Sequence, residues 1–439
     1  MRAFQTYLYE GRHLLRSPFK LVALFLFTAA ALYGLHLGSA LFHRQHAEIE
    51  RILVDTQEER PTYLAYYEEG KQGPEDRPWV NFNTPFWAVW YSYVHHFKQP
   101  SPAMVYSIGQ AEQYGYYKRV SFWASPLDSD MTQEIANPER LQSNSLDYSF
   151  VILFLQPVLL LILLYNLKSS EAEQGLLPLI EVQAGSKGWW LGSRVLFYTT
   201  LLIALNIGLL LYGAVLTGVF AQAALAFWSI LLHSILYLSL WTALFYLILR
   251  IGKTVLANTL MMAGLWLLFA FIIPAGVYQG LSILKPANLM TEFIDATRDD
   301  RNEMFDQPDS ILQQQLFALF PAIAESPVAK DSLEINRARN QSASALANEL
   351  AKASIEGIEK ESKDKNEMIQ RSFWFNPVIL FQNRFNSISE THYDDYEKYR
   401  GEIQALIDKQ IRVMVHDNWN AVEVDKEKFQ EYVEELSSL

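Results

Sequence analysis

The sequence predicts a mainly α, polytopic membrane protein with about five transmembrane helices and two extracytoplasmic insertions. Three observations carry that prediction. Of the 439 residues, 50% are hydrophobic, yet mean hydropathy is only +0.02, because long apolar and polar blocks alternate along the chain. Five windows (20–42, 148–167, 192–218, 222–249 and 254–278) are apolar over the roughly 20 residues that a helix needs to cross about 30 Å of hydrocarbon. Basic residues gather beside alternate ends of these windows, while 43–147 and 279–439 are acidic and water-loving.

Residues 1–19, "MRAFQTYLYEGRHLLRSPF", read as a cytoplasmic amphipathic helix lying in the membrane interface. Phe4, Leu8, Leu14 and Leu15 supply its apolar contacts, Arg12 and Arg16 stay wet, and Pro18 ends it. The apolar run at 20–42 is longer than a signal-peptide core, which predicts an uncleaved anchor. Orientation follows from Lys and Arg, which stay on the cytoplasmic side. Arg2, Arg12, Arg16 and Lys20 precede the first span, with Glu10 the single acid among them. Lys168, Lys187 and Arg194 precede the third span, and Arg250-Ile251-Gly252-Lys253 (250–253) links the fourth to the fifth. All fall on one side if the N-terminus is cytoplasmic, which puts 43–147 and 279–439 outside. The first outer domain opens as a charged helix, "HAEIERILVDTQEER", and turns aromatic at "PWVNFNTPFWAVWYSYVHHF". The second carries a long Ala/Glu/Lys helix over 328–370, with Leu346, Leu350, Ala353 and Gly357 at coiled-coil spacing.

Several chemistries are excluded. A net charge of −12 argues against nucleic acid, whose phosphates need a basic surface. Without cysteine there are no disulfides and no thiolate chemistry. Gly252-Lys253-Thr254 has the ending of a P-loop, but the position of its first glycine is Leu247 and a membrane helix precedes it, so no nucleotide site is expected on this chain. His43 with His46, His95 with His96, and Asp394-Asp395 near His392 each lack a third ligand, so no metal is expected. Inside the spans the ionisable residues are His36 and His233, without the carboxylates or lysines an ion-driven carrier needs. Gly34 and Gly38 flank His36 where close packing is possible. Asn206 and Asn258 either cross-bond helices or line a path. With His36 and His233 they are the candidates for a translocation path.

The segment 168–191 interrupts the apolar blocks with "KSSEAEQGLLPLIEVQAGSKG". Ser170 followed by Glu173 has capping-box spacing, and Glu171 and Glu173 suit the positive end of a helix dipole. Leu176, Leu177, Leu179 and Ile180 give an apolar face. Pro178 removes a donor and crowds the Gln174 carbonyl, so the helix should kink or restart there. Gly185 and Gly188 end the element, and Trp189-Trp190 return to the interface. Such a helix suits docking of a soluble partner better than an anionic lipid surface.

These residues resemble the cytoplasmic coupling region of ABC-2 type transporter permeases. The family pattern of Glu-x-Glu-x-Gly, leucines, Gln-Pro-x-Ser and Gly-Lys is matched by Glu171, Glu173, Gly175, Leu176, Leu177, Gln183, Ser186 and Gly192, with Arg194 near the usual basic position. "YSFVILFLQPVLLLILLYNLKSSE" is similar to the second span of the same family. A branch of it carries large extracytoplasmic insertions and a domain of unknown function. "QPSPAMVYSIGQAEQYGYYKRVS" resembles that branch's first-insertion motif at Pro102, Gly109, Gln110, Tyr116, Tyr117 and Val120, and "LKPANLMTEFIDATRDDR" and "FNPVILFQNRFNSIS" resemble its second insertion. Two departures stand out: Ala184 replaces the family's proline, and Pro178 falls where the family continues the helix. The family usually has a sixth span after the second insertion. Here "EVDKEKFQEYVEELSSL" reads as water-soluble helix and "WFNPVILFQ" is too short to span, so the expectation is a truncated copy or a five-span variant.

The resemblance implies a permease subunit of an ATP-driven exporter in a bacterial inner membrane. It would bind no cofactor itself, ATP and Mg being held by a cytoplasmic ABC ATPase. Its partners would be that ATPase, a second permease subunit and membrane lipid. The coupling residues implied are Ser170, Glu171, Glu173, Gln174, Gly175, Leu176, Leu177, Pro178 and Leu179. On that reading Glu171 and Glu173 meet basic residues of the ATPase and the leucines fill its groove. The alternative is a mechanotransmission or envelope-assembly subunit that moves no substrate.

Overall fold

A computed structural model of the chain describes residues 2–128, 130, 146–184, 186–284 and 302–437. Five helices are long and apolar enough to cross a membrane: Pro18–Glu68, Tyr148–Glu173, Gly188–Thr217, Ala224–Ile251 and Val255–Ile283, the first to fifth spans below. They pack into one bundle around a hydrophobic core that includes Phe27, Leu35, Leu160, Leu202 and Leu238. Burying such side chains contributes about 1.5–3 kcal/mol each.

Local chemistry sets the helix ends. Pro18 opens the first span at a position where its missing N–H costs nothing. Ser186 and Thr254 cap the third and fifth spans by accepting from Trp189 N and Ala257 N. Gly188, expected to end the preceding element, lies inside the third span's helix, whose start is set by Ser186. The first helix runs 51 residues without a break past the boundary expected at 43, through the charged segment and Pro61 to Glu68. Nothing between Phe42 and Arg60 stops a helix, and pairs such as Arg51–Glu48 at 2.6 Å support it in water.

The second and fifth spans each contain a π-helical turn, Val151–Leu155 and Leu268–Ile272. Pro157 has no N–H to give the Leu153 carbonyl, and the Tyr237 hydroxyl donates to it instead at 2.5 Å. Trp266 Nε1 donates to the neighbouring Phe154 carbonyl at 3.0 Å, and Phe154 rests on Phe271 with ring centroids 6.0 Å apart.

At one end of the bundle lie helix α1 (Arg2–Leu15) and the short helices α2 (Ser169–Glu173) and α3 (Leu177–Ala184). On α1, Glu10 and Leu14 are buried while Leu8, Leu15 and Arg12 are exposed, as is Arg16 just past its end. The expected apolar contacts therefore hold for Leu14 and not for Leu8 or Leu15, and the side chain of Phe4 lies outside the described residues.

At the other end both insertions build one domain. A core containing Val89, Phe122, Leu316, Ile407, Trp419 and Phe429 draws on both. An antiparallel pair, β1 (Val94–Phe97) and β2 (Tyr117–Val120), pairs Val94 with Val120 and Phe97 with Tyr117. The helices of the second insertion are α4 (Ala343–Arg371), α5 (Pro377–Ile388) and α6 (Tyr393–Trp419). The long helix expected over 328–370 is thus broken. A 3₁₀ turn Val328–Lys330 and a short helix Ile335–Gln341 precede Ser342, whose hydroxyl accepts from Trp419 Nε1 at 2.9 Å. Leu346 is buried there and Leu350 is exposed.

This domain is stitched into the bundle. A Cβ on Gly34 would come within 2.6 Å of the Asp147 backbone, and one on Gly38 within 2.8 Å of the Val105 carbonyl oxygen, so close approach explains both glycines flanking His36. Asp147 caps the start of the second span at Phe150 N (2.7 Å) and also accepts from Ile108 N (2.9 Å). Helix α5, which includes much of the "WFNPVILFQ" stretch, does not span. It packs on the fourth span instead, with Phe381 5.0 Å from the Tyr237 ring and Val378 and Phe385 buried in the bundle core.

The two insertions are also clasped by Asp130 and Arg400, both 4% exposed and 3.3 Å apart. Gly115 N donates to Asp130 at 2.9 Å, and Arg400 also reaches Glu359 at 3.5 Å. Burial raises the Asp130 carboxyl from 3.8 to about 6, against the opposing pull of Arg400. An acid raised in the folded state binds more protons folded than unfolded, so its contribution declines as pH rises from 3.8 to about 6. The stability of the native chain relative to Asp130→Asn should therefore increase as pH is lowered through that window. Paired unfolding curves at several pH values check it, and a pH-independent difference would refute it.

Candidate functional site

The segment 168–191 folds differently from its sequence reading. Lys168, not Ser170, occupies the N-cap of α2, and no side chain caps that helix. The expected capping box is absent because Ser170 sits too far into the helix to cap it and Glu173 is used elsewhere. Ser170 lies within the helix, and Glu173 Oε1 accepts from Val255 N at 2.8 Å, at the start of the fifth span. The helix restart expected at Pro178 is present. α2 stops at Glu173, Gly175 turns the chain with φ +73°, and Pro178 sits in the first turn of α3, where its missing N–H is harmless. Gly185 lies outside the described residues.

Behind this segment is a buried ion cluster. Glu10 of α1 is fully buried and Arg194 of the third span is 3% exposed. Arg194 Nε donates to Glu10, its Nη1 donates to Glu171 at 2.6 Å, and the same nitrogen reaches the Leu167 carbonyl at 2.5 Å. Tyr198 OH donates to the other Glu10 oxygen at 3.0 Å. Lys20, 2% exposed, donates to the Leu163 carbonyl at 2.8 Å and to Tyr198 OH at 3.4 Å. Two carboxylates thus balance two cations. Buried charges persist only when paired and hydrogen-bonded. The expectation that no Lys, Arg or carboxylate enters the bundle needs correcting here: Lys20 and Arg194, first read as flanking markers of orientation, are interior groups.

α2 is tied to further spans. Lys168 Nζ donates to the carbonyls of Leu249 (3.0 Å), Arg250 (2.8 Å) and Gly252 (3.3 Å) at the end of the fourth span. Asn258 Nδ2 donates to Ser169 Oγ at 3.2 Å. The outward face is apolar: Leu176 is 40%, Leu179 57% and Val182 84% exposed, beside exposed Gln174, Gly175 and Pro178, while Leu177 is half-buried. Between α1, α3 and the third span opens a cleft of about 540 Å³, lined by Tyr9, Glu171, Leu176, Ile180, Trp190 and Arg194.

The other predicted residues are dispersed. His36 faces out of the bundle, Asn206 is fully buried, Asn258 lies at the α1 end beside Ser169, and His233 bonds the Ser229 carbonyl at 2.7 Å. The structure does not gather these four into one lining. Of the first-insertion motif, Pro102 accepts from Thr217 Oγ1 at 2.8 Å and Gln110 N donates to the Thr391 carbonyl at 3.0 Å. Gly109 sits directly against Thr391, while Tyr116 and Tyr117 stack edge-on with centroids 5.2 Å apart. The motif therefore joins the first insertion to the third span and to the second insertion. His96 pairs with Glu402 at 2.9 Å, His95 meets Thr56 Oγ1 at 3.0 Å, and His392 with Asp395 forms the capping box of α6. Sequence reasoning missed Glu10. Its signal was a lone acid among bases, one helical turn from Leu14 on the same face.

A family model described as a domain of unknown function (DUF3526) matches residues 290–434, within the second insertion. No curated protein and no solved structure matches the chain.

Removing the guanidinium alone, by Arg194→Met, leaves Glu10 buried without its cation and should cost about 3–5 kcal/mol. Adding Glu10→Gln should recover most of that loss. Unfolding midpoints of the purified chain in detergent check this. Equal losses in the single and double variants would show that the pair does not hold the cluster.

Proposed function

We propose that the chain is the transmembrane permease subunit of an ATP-driven ABC transporter, driven from the cytoplasm by an ATPase that holds ATP and Mg, and working as an exporter beside a second permease subunit. In this reading α1, α2 and α3 face the cytoplasm of a bacterial cell and both insertions lie beyond its inner membrane. One observation carries it: a short helix with an exposed apolar face (Leu176, Leu179, Val182) stands at one end of the bundle, and the α2 helix beside it is tied to the third, fourth and fifth spans. An apolar face rimmed by polar residues suits a protein partner, and its links into the spans suit a device that receives force. The resemblance of 169–188 to ABC-2 coupling regions supports the same reading.

The roles within the segment differ from those the resemblance implies. Glu171 is engaged by Arg194 and Glu173 by Val255 N, so these carboxylates are internal struts and Leu176, Leu179 and Val182 are the docking face. The second reading, transmission of ATPase motion to an envelope partner without transport, is favoured by the seating of α5 of the outer domain directly on the fourth span.

Leu179→Glu with Val182→Glu should abolish co-purification with a cytoplasmic ABC ATPase that the native chain retains on co-expression, while leaving the unfolding midpoint unchanged. Glu171→Gln should retain the ATPase and lose ATP-driven activity of the complex. An intact, active complex with both exposed side chains charged would sink the assignment.

A further inference from the structure

The bundle interior contains several polar side chains with no hydrogen-bond partner among the described residues, and beside Tyr148 and Trp241 these include Gln156, Asn206 and Ser234. Each is at most 1% exposed, and every side-chain nitrogen or oxygen on all three is unsatisfied. They come from the second, third and fourth spans, and two independent contacts put them in register. Arg194 Nη1 reaches the Leu167 carbonyl, and the second and third spans are antiparallel. Equal steps along both helices bring Gln156 opposite Leu205, next to Asn206. Thr199 and Thr242 touch at 3.3 Å across the antiparallel third and fourth spans, and equal steps from there bring Asn206 opposite Ile235, next to Ser234. All three residues also lie on the buried stripe of their own helix. With the Tyr237 hydroxyl on the Leu153 carbonyl tying the second span to the fourth, they share one layer of the bundle, within about two turns of each other at about 1.5 Å of rise per residue.

We propose that this level is a buried hydration site in which Gln156, Asn206 and Ser234 bind ordered water. The two amides and the hydroxyl offer donors and acceptors on three sides. A buried water makes about three hydrogen bonds to otherwise unsatisfied groups. Left dry, each group would carry the full cost of desolvation. The groups are neutral and no acid or base among the described residues is bonded to them, so the site suits an uncharged hydrogen-bonding guest. Tyr237 lies one turn from Ser234 on the same helix and touches Trp241, with centroids 6.2 Å apart. It is fully buried and its hydroxyl is committed to Leu153, which makes it a reporter with no access of its own to bulk solvent.

X-ray radiolysis generates hydroxyl radicals from bound water as well as from bulk, and the radicals oxidise the nearest side chains. The purified full chain in detergent, exposed and read by mass spectrometry, should carry oxidised Tyr237 or Trp241 while Phe245, equally buried on the same helix, stays unmodified. Asn206→Leu, or Ser234→Ala should the first variant not fold, should lose the oxidation at Tyr237 and Trp241. Unmodified Tyr237 and Trp241 in the native chain would overturn the site. So would oxidation that persists undiminished in the folded variant, since the radicals would then arrive without the polar layer.

Discussion

The arrangement depends on one constraint: Glu10, Lys20 and Arg194 are almost wholly withdrawn from solvent, with Glu171 beside them at the edge of the cleft. A charge in a low-dielectric interior must be paired and hydrogen-bonded or it drives the structure apart. Satisfying it joins three segments far apart in sequence. α1 must lie against the third span so that Glu10 reaches Arg194, and α2 must fold back so that Glu171 reaches the same guanidinium. Arg194 also takes up the Leu167 carbonyl, which the chain frees where the second span leaves its helix. An arginine fork can serve all three acceptors at once, where a lysine's compact ammonium could not hold the same planar arrangement. The position of α1 and α2 is thus a consequence of charge pairing rather than of the leucines exposed beside them.

The opposite end is held by shape. Gly34 and Gly38 let backbone from the first insertion lie directly on the first span, and Tyr106 reaches down to the Leu210 carbonyl at 2.8 Å. Asp147 serves both the start of the second span and Ile108 N. Helix α5 brings the second insertion to the same place. The domain built from 43–147 and the C-terminal part of the chain is therefore seated between span ends and shares the bundle's own core, which leaves little room for it to move alone.

Much of this was legible in the sequence, and the failures share a cause. The five spans follow from apolar length, and the helix restart at Pro178 follows from one missing amide. What could not be read was competition between partners. Ser170 and Glu173 have capping spacing, yet Glu173 bonds Val255 N, because the fifth span's first turn offers free donors that sequence spacing does not reveal. Lys20 and Arg194 read as orientation markers because both lie at window edges, where snorkelling to water is the usual outcome. Their burial depends on Glu10, which becomes an interior residue only once α1 has folded back. The long helix over 328–370 failed at Ser342, which is claimed by Trp419, 77 residues away. Local pattern sets elements, and distant partners decide their ends.

These contacts define how displacement would travel on the proposed reading. A push on the exposed leucines of α3 reaches α2 through the turn at Gly175. From α2 it divides: Glu171 to Arg194 and the third span, Lys168 to the carbonyls closing the fourth, Glu173 and Ser169 to the fifth. The third span meets the outer domain at Leu210 and Thr217, and the fourth meets it at Tyr237 through Phe381. Those two routes contain no π turn, whereas the second and fifth spans each have one, packed against each other through Phe154 and Phe271. Irregular turns with side chains substituting for lost backbone bonds are where a helix can change its register at least cost. On that reading the third and fourth spans, regular throughout, would carry displacement between the two ends of the bundle, and the second and fifth, each with a π turn, would be the pair that yields.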